Sequence, residues 1–235
     1  MKLSMIKKTL ILLAISLMAF VSDNPCSFYY PTGVGTITET TFYNNKGKPT
    51  GSVSYMEVVS ETDSAGYKVE KIREWSSSED SDSSGVVEYK VMCKGGEFLM
   101  DMSNYLDKEK MQAYEGMDVA VSSSNISIPS NPTEGQSLDD GYVSAQISNE
   151  GIPIMTLTVN IKNRKVEALE KITTPAGTFD AVKISYDLEM KMGLLFKYKG
   201  KQWFVKNNGI VRTELWNKKG SKMMSYDELT KITRK

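Results

Sequence analysis

The chain has 235 residues, 29 basic and 29 acidic side chains, 40% hydrophobic residues and no histidine. A formal net charge of zero with no basic stripe argues against a nucleic-acid partner. The missing histidine excludes Ser-His-Asp and Cys-His catalysis, imidazole metal sites and imidazole pH switches.

Lys2, Lys7 and Lys8 precede an uncharged apolar run from Thr9 to Val21, which Asp23-Asn24-Pro25 then breaks. This is the layout of a secretory signal peptide, and the run is short for a membrane span. Residues 1–19 are read as the signal, with cleavage between 19 and 22; a retained anchor is the alternative. Residues 20–235 then form one β-rich domain without a transmembrane span, exported to the periplasm or cell envelope. Processing removes three of the 29 basic residues and no acids, leaving 26 against 29. Cys26 stands where bacterial lipoproteins carry a lipidated cysteine, but Pro25 before it and Asp23 three places back do not suit the processing enzyme. With Cys93 it makes an even pair in an exported chain, so a Cys26–Cys93 disulfide is expected, two unpaired thiols being the alternative.

Strand-like runs separated by turn signals fill most of the rest. They cover Gly35 to Tyr43, Ser52 to Ser60, Tyr67 to Trp75, Val86 to Met92 and Glu97 to Met102. Asn104 to Tyr114 has the spacing of a short amphipathic helix. Ser122 to Gln136, with Pro129 and Pro132, reads as the longest irregular connection, and a division into halves near 122–136 is the alternative to a crossover within one sheet. Further runs follow at Gly141 to Ser148, Ile154 to Ile161, Lys165 to Thr173, Phe179 to Lys191, Leu195 to Val205, Ile210 to Trp216 and Ser221 to Tyr226. Successive hairpins without crossover helices make an antiparallel meander, and so many strands must curl into a barrel or half-barrel or fold into two packed sheets. The expected class is all-β, lipocalin-like, with one short helix.

Candidate chemistry is sparse. The cysteines have no Cys-x-x-Cys spacing, and no cofactor or metal site is expected. Glu79-Asp80-Ser81-Asp82 lacks the ordered spacing of a calcium loop and reads as a hairpin tip. Glu167, Glu170, Asp180, Asp187 and Glu189 mostly alternate with apolar residues, as the solvated side of a sheet does; a pair of them facing across a cleft would be the glycosidase alternative. Trp203, Phe204 and Trp216 form a ligand platform if exposed and ordinary core if buried. Abundant methionine suits core filling, and equally an apolar cavity.

The stretch Thr174-Pro175-Ala176-Gly177-Thr178-Phe179-Asp180-Ala181-Val182-Lys183-Ile184 is the most sharply punctuated of the chain. Pro175 fixes φ, Gly177 permits a tight bend, and Phe179 opens a strand on the side opposite Val182 and Ile184. Together with Val166 to Glu170, Trp203-Phe204, Asn208 to Glu214, Cys26 with Tyr29-Tyr30-Pro31, and Cys93 to Met102, it resembles the TapB-like proteins, exported β proteins of Gram-negative bacteria. The resemblance implies an exported barrel or half-barrel and brings no catalytic residues. The expected function is a non-enzymatic envelope protein that binds an apolar or glycan-like ligand or another envelope protein. A carboxylate-based carbohydrate-active enzyme and a purely structural scaffold are the alternatives.

Overall fold

A computed structural model describes residues 27–64, 67–78, 85–106, 114 and 116–235. The expected signal segment, Cys26 and the acidic run 79–82 lie outside the described residues. Thirteen strands follow in chain order: β1 (Ile37–Asn44), β2 (Pro49–Ser64), β3 (Tyr67–Ser77), β4 (Val87–Lys94), β5 (Glu97–Asp101), β6 (Asp118–Ser123), β7 (Asn125–Pro129), β8 (Gly141–Asn149), β9 (Ile152–Thr174), β10 (Gly177–Met192), β11 (Leu194–Val205), β12 (Gly209–Asn217) and β13 (Met223–Thr233). They form one antiparallel sheet in the order β6-β8-β9-β10-β11-β12-β13-β1-β2-β3-β4-β5-β7, curled into a nearly closed barrel.

The closing seam is made by one segment of chain. β6 pairs with β8 at one end of the sheet, and β7, one residue later, pairs with β5 at the other. Ser124 stands between them: its N–H donates to the Tyr142 carbonyl of β8, and its own carbonyl accepts from the Met102 N–H beyond β5. The irregular connection expected from Ser122 is therefore strand as far as Pro129. Its alternation slips phase at the crossing, from Val119 and Val121 to Ile126 and Ile128, and so escapes a period-two reading.

Two other expectations are corrected. The helix expected from Asn104 is a 3-10 turn over Met102–Tyr105, capped by the Asp101 carboxylate, which accepts from Ser103 N–H. Leu106 is already extended, and Tyr105 and Leu106 pack on the core; residues 107–113 lie outside the described residues. The runs Ile154 to Ile161 and Lys165 to Thr173 are one strand, β9. Their polar interruption is a bulged stretch at Asn163, whose φ is +53° and whose side-chain amide donates to Asp187 at 2.8 Å.

Alternation along β10 and β11 sorts the core into two layers. Val182, Ile184, Tyr186 and Phe204 join the interior, with Val58, Ile72, Val91, Phe98 and Ile161. The Tyr186 ring lies across Gly200 on the neighbouring strand, where an added Cβ would meet its Cζ at 2.1 Å. Ala181, Trp203, Val205, Val211 and Leu229 form a second cluster with Phe179 and Ala176. That cluster exists because the β9–β10 hairpin overruns β11. Residues 177–181 pair only with β9, and the hairpin laps across to β13, where Ala176 N–H donates to the Leu229 carbonyl at 3.3 Å. Methionine serves the interior as packing: the Met100 and Met56 sulfurs lie 3.3 and 3.6 Å from the Tyr30 and Tyr89 hydroxyls. Among the described residues, no helix is long and apolar enough to cross a membrane.

Candidate functional site

The residues before β1 close one end of the barrel. Phe28, Tyr29 and Tyr30 are buried, and all three rings meet Phe98 with centroids 5.4, 6.1 and 5.6 Å away. Burying three aromatics side by side gives this short segment apolar contact that holds it on the barrel. Backbone and side-chain hydrogen bonds fix its path. The Phe28 carbonyl accepts from Asn207 N–H at 2.7 Å, Ser27 donates to Ser130 from both its N–H and its hydroxyl, and Pro31 bridges to Asn208. Gly209, with φ +87°, lets Pro31 come this near: an added Cβ would lie 3.1 Å from its Cδ.

Between this plug, the 130–132 segment and the lapping β9–β10 hairpin runs an open groove of about 730 Å³. Leu169 and Phe179 present apolar side chains to it, above the buried Ala181, Val182, Phe204 and Val205, with Pro132 and the buried Tyr29 to one side. Glu170, Lys171, Asp180 and Lys206 charge the rim. The carboxylates there are engaged: Glu170 accepts from the Trp203 indole at 2.8 Å, and Asp180 pairs with Lys171 at 2.7 Å. The groove thus offers apolar area with paired charges at its mouth, the usual balance of a small-molecule site.

Thr178 and Phe179 of the sequence motif line this groove, while Pro175, Ala176 and Gly177 form the hairpin tip that docks on β13. Gly177 has φ +139°, a conformation L side chains rarely adopt. Trp203, Phe204 and Trp216 do not share one surface. Phe204 belongs to the interior and the groove floor, whereas Trp203 lies in the outer cluster, 6% exposed, under Lys183 and Arg212. Trp216 is half-buried, its indole donating to Glu214 and Lys201 standing over its ring at 5.6 Å. Cys93 is buried in β4; nothing of Cys26 is described.

Sequence reasoning missed the polar interior. Glu70 is fully buried on β3, and burial pushes its carboxyl up to about 8 despite Lys68 at 3.0 Å. Burial likewise raises Asp227 to about 7 and the Tyr29 hydroxyl to about 12. Tyr30 is raised too, by burial and then by Glu74, and it shares a hydrogen bond with Tyr89, which donates to Glu74 at 3.0 Å. Arg164, 3% exposed, holds the Asp139 and Ser127 carbonyls across the seam. Glu70, Asp227 and Arg164 are charged residues within strands, where a local pattern gives no sign of burial, and only the curling of the sheet covers them. Among the described residues, no group of three or more His, Cys, Asp or Glu side chains could hold a metal ion.

The chain matches no curated protein in sequence. Two crystal structures share its fold. One is of a protein from Bacteroides fragilis assigned as exported, with a YmcC-like fold: TM-score 0.73, 21% identity, covering 89% of this chain and 100% of that one. The other is of a protein from Parabacteroides distasonis assigned as a lipoprotein: TM-score 0.72, 24% identity, covering 88% of this chain and 99% of that one. The DUF3108-like family model matches residues 34–229, a span from the first strand to Leu229 at the docking site of the motif hairpin, and the chain belongs to that family.

Proposed function

We propose that this is an exported, non-enzymatic envelope protein of a Gram-negative bacterium that holds an amphipathic ligand, an apolar chain with a polar head, in the groove at the plugged end. The groove's apolar floor beneath a charged rim carries the reading. Export is supported by the N-terminal layout and by the exported and lipoprotein assignments of the two structural neighbours. The narrower likeness to TapB-like proteins rests on stretches that converge on this end: Tyr29 to Pro31, the β4–β5 hairpin, the motif hairpin and Asn208 with Gly209. The carbohydrate-enzyme reading has less behind it, since the two groove carboxylates already hold an indole and a lysine.

Thr178 is exposed and lines the groove, so Thr178→Trp fills it without entering the core. Uptake of the fluorescent apolar probe N-phenylnaphthylamine is expected in the wild type and weakened roughly tenfold in the variant, the equivalent of about 1.4 kcal/mol. Equal uptake by both proteins would remove the groove as the binding site.

The same reading pairs Cys26 with Cys93. Phe28 touches both cross-strand neighbours of Cys93: its ring packs on Phe98, and Lys68 Nζ stands 4.9 Å over it. A chain two residues from Phe28 is therefore within reach of the β4 sulfur. Closing so long a loop is worth about 4 kcal/mol in the chain-entropy account. Intact mass spectrometry of unreduced protein should show two hydrogens fewer than the dithiol. Two alkylated thiols would rule the bond out, and a lipid on Cys26 would replace it with a membrane anchor.

A further inference from the structure

At the end of the barrel opposite the plug, two hairpins project past their neighbours. β10 and β11 pair to their tip at Met192 and Leu194, but β12 joins β11 only from Tyr198, so residues 194–197 have no strand on that side. β9 likewise runs on from Leu157, the partner of Met192, to Ile152, with β8 alone beside it. The overhangs are about 13–17 Å at 3.3 Å per residue. The β10–β11 tip is apolar on both faces: Leu194 is 72% exposed and Leu195 56%, with Met192 and Phe196 also exposed, whereas on β9 the exposed Ile152 and Ile154 share one face and Met155 and Leu157 on the other pack with Ala145 and Ile147. A half-buried strand alternates; the β10–β11 tip does not, and the barrel gives its exposed side chains nothing to pack on.

Lysines surround them. Lys191 flanks the first tip, and Lys218, Lys219 and Lys222 occupy the β12–β13 turn at the same rim, which begins beside Tyr198. All four are exposed and form no ion pair with a described residue. Lys46 and Lys48 extend the charge through the β1–β2 turn, because Asn44 pairs with Ser225 of β13. Acids flank this arc of lysines: Asp118 and Glu150 are exposed on the β6–β8 side, and the run Glu79-Asp80-Ser81-Asp82, outside the described residues, belongs to the β3–β4 connection that follows the β1–β2 turn. Glu189, nearby on β10, is held down to about 2 by Lys162 and Lys197 and adds no unpaired negative charge.

We infer that this rim docks on an anionic lipid surface, the apolar tips entering the headgroup boundary and the lysines lying among the phosphates. Apolar residues on a projecting tip gain from entering the acyl boundary, and each lysine near a negative leaflet adds attraction. A second copy docking tip to tip would bring the same four lysines, Lys191, Lys218, Lys219 and Lys222, and meet like charge. The inference is independent of the groove, which lies at the other end.

Flotation with vesicles of phosphatidylethanolamine and phosphatidylglycerol, against phosphatidylcholine alone, tests it on the purified chain. Wild type and variants share one N-terminus, so any difference between them comes from the rim. The wild type is expected to float with the anionic vesicles. Leu194→Asp with Leu195→Asp should weaken this by roughly tenfold or more, and Lys218→Glu with Lys219→Glu by roughly tenfold, with the remainder lost at high salt. Leu194→Trp, which keeps the tip apolar, should show a blue-shifted emission on the anionic vesicles and serves if the aspartate variant fails to fold. Equal flotation of wild type and aspartate variant, no flotation with any vesicle, or a solution dimer that the aspartate variant splits while no protein binds lipid would each overturn the inference.

Discussion

Tyr29→Ala is expected to destabilise the protein by about 3–5 kcal/mol, the usual cost of emptying a large buried aromatic site. The ring is fully buried between Phe98 and Phe204, at 6.1 and 6.3 Å, and so joins the segment before β1 to both the β4–β5 hairpin and the groove strand β11. Tyr29→Phe should behave in the opposite way. The hydroxyl is buried without a hydrogen-bond partner, so removing it should leave stability unchanged or raise it by about 1 kcal/mol. Urea unfolding followed by tryptophan fluorescence separates the two. If Tyr29→Ala cost less than about 1 kcal/mol, the aromatic plug would be an appendage rather than part of the cooperative fold.

Glu70→Gln is expected to flatten the dependence of stability on pH. Burial is the main reason its carboxyl lies at about 8; Lys68 lowers it less, and Glu61 adds a small upward push. A carboxyl whose folded pKa exceeds its unfolded value binds its proton more tightly in the native state. Its contribution is therefore complete below the unfolded pKa, near 4.5, and is lost as pH rises to about 8. The free energy tied to that displacement is roughly 5 kcal/mol at most, so the wild type should be clearly more stable at pH 5 than at pH 8. Glutamine keeps the shape without the titration and should be the more stable form at pH 8. Asp227, half-buried and raised to about 7, leaves a smaller slope of the same sign. An unchanged slope in Glu70→Gln, measured by thermal melts across this range, would show that the buried carboxyl is not the origin.

Much of the barrel was legible in sequence because its hairpins are local. Asn207-Asn208-Gly209 and Asn217 to Gly220 mark turns, and the alternation of Val182, Ile184, Tyr186 and Leu188 marks a strand regardless of what covers it. The motif around Gly177 read correctly as a turn feeding a strand with Phe179 on the far side. What it could not show is that the hairpin laps over the sheet and docks Ala176 on β13, because that contact joins residues more than fifty positions apart. The seam was hidden for a related reason: β6 and β7 belong to opposite ends of the sheet, and their shared alternation breaks where the chain crosses. Glu70, between Val69 and Lys71, and Asp227, between Tyr226 and Glu228, carry no local sign of burial. Their burial follows from closure of the barrel, which no local period records.

The groove is the centre of the functional reading, and native mass spectrometry of protein released from its own cell envelope tests it most directly. The wild type should carry a non-covalent amphiphile that dissociates on activation and is missing from Thr178→Trp prepared in the same way. A wild-type protein that emerges bare and takes up no amphiphile from an envelope lipid extract would contradict the account, leaving a plugged barrel with no ligand at its groove.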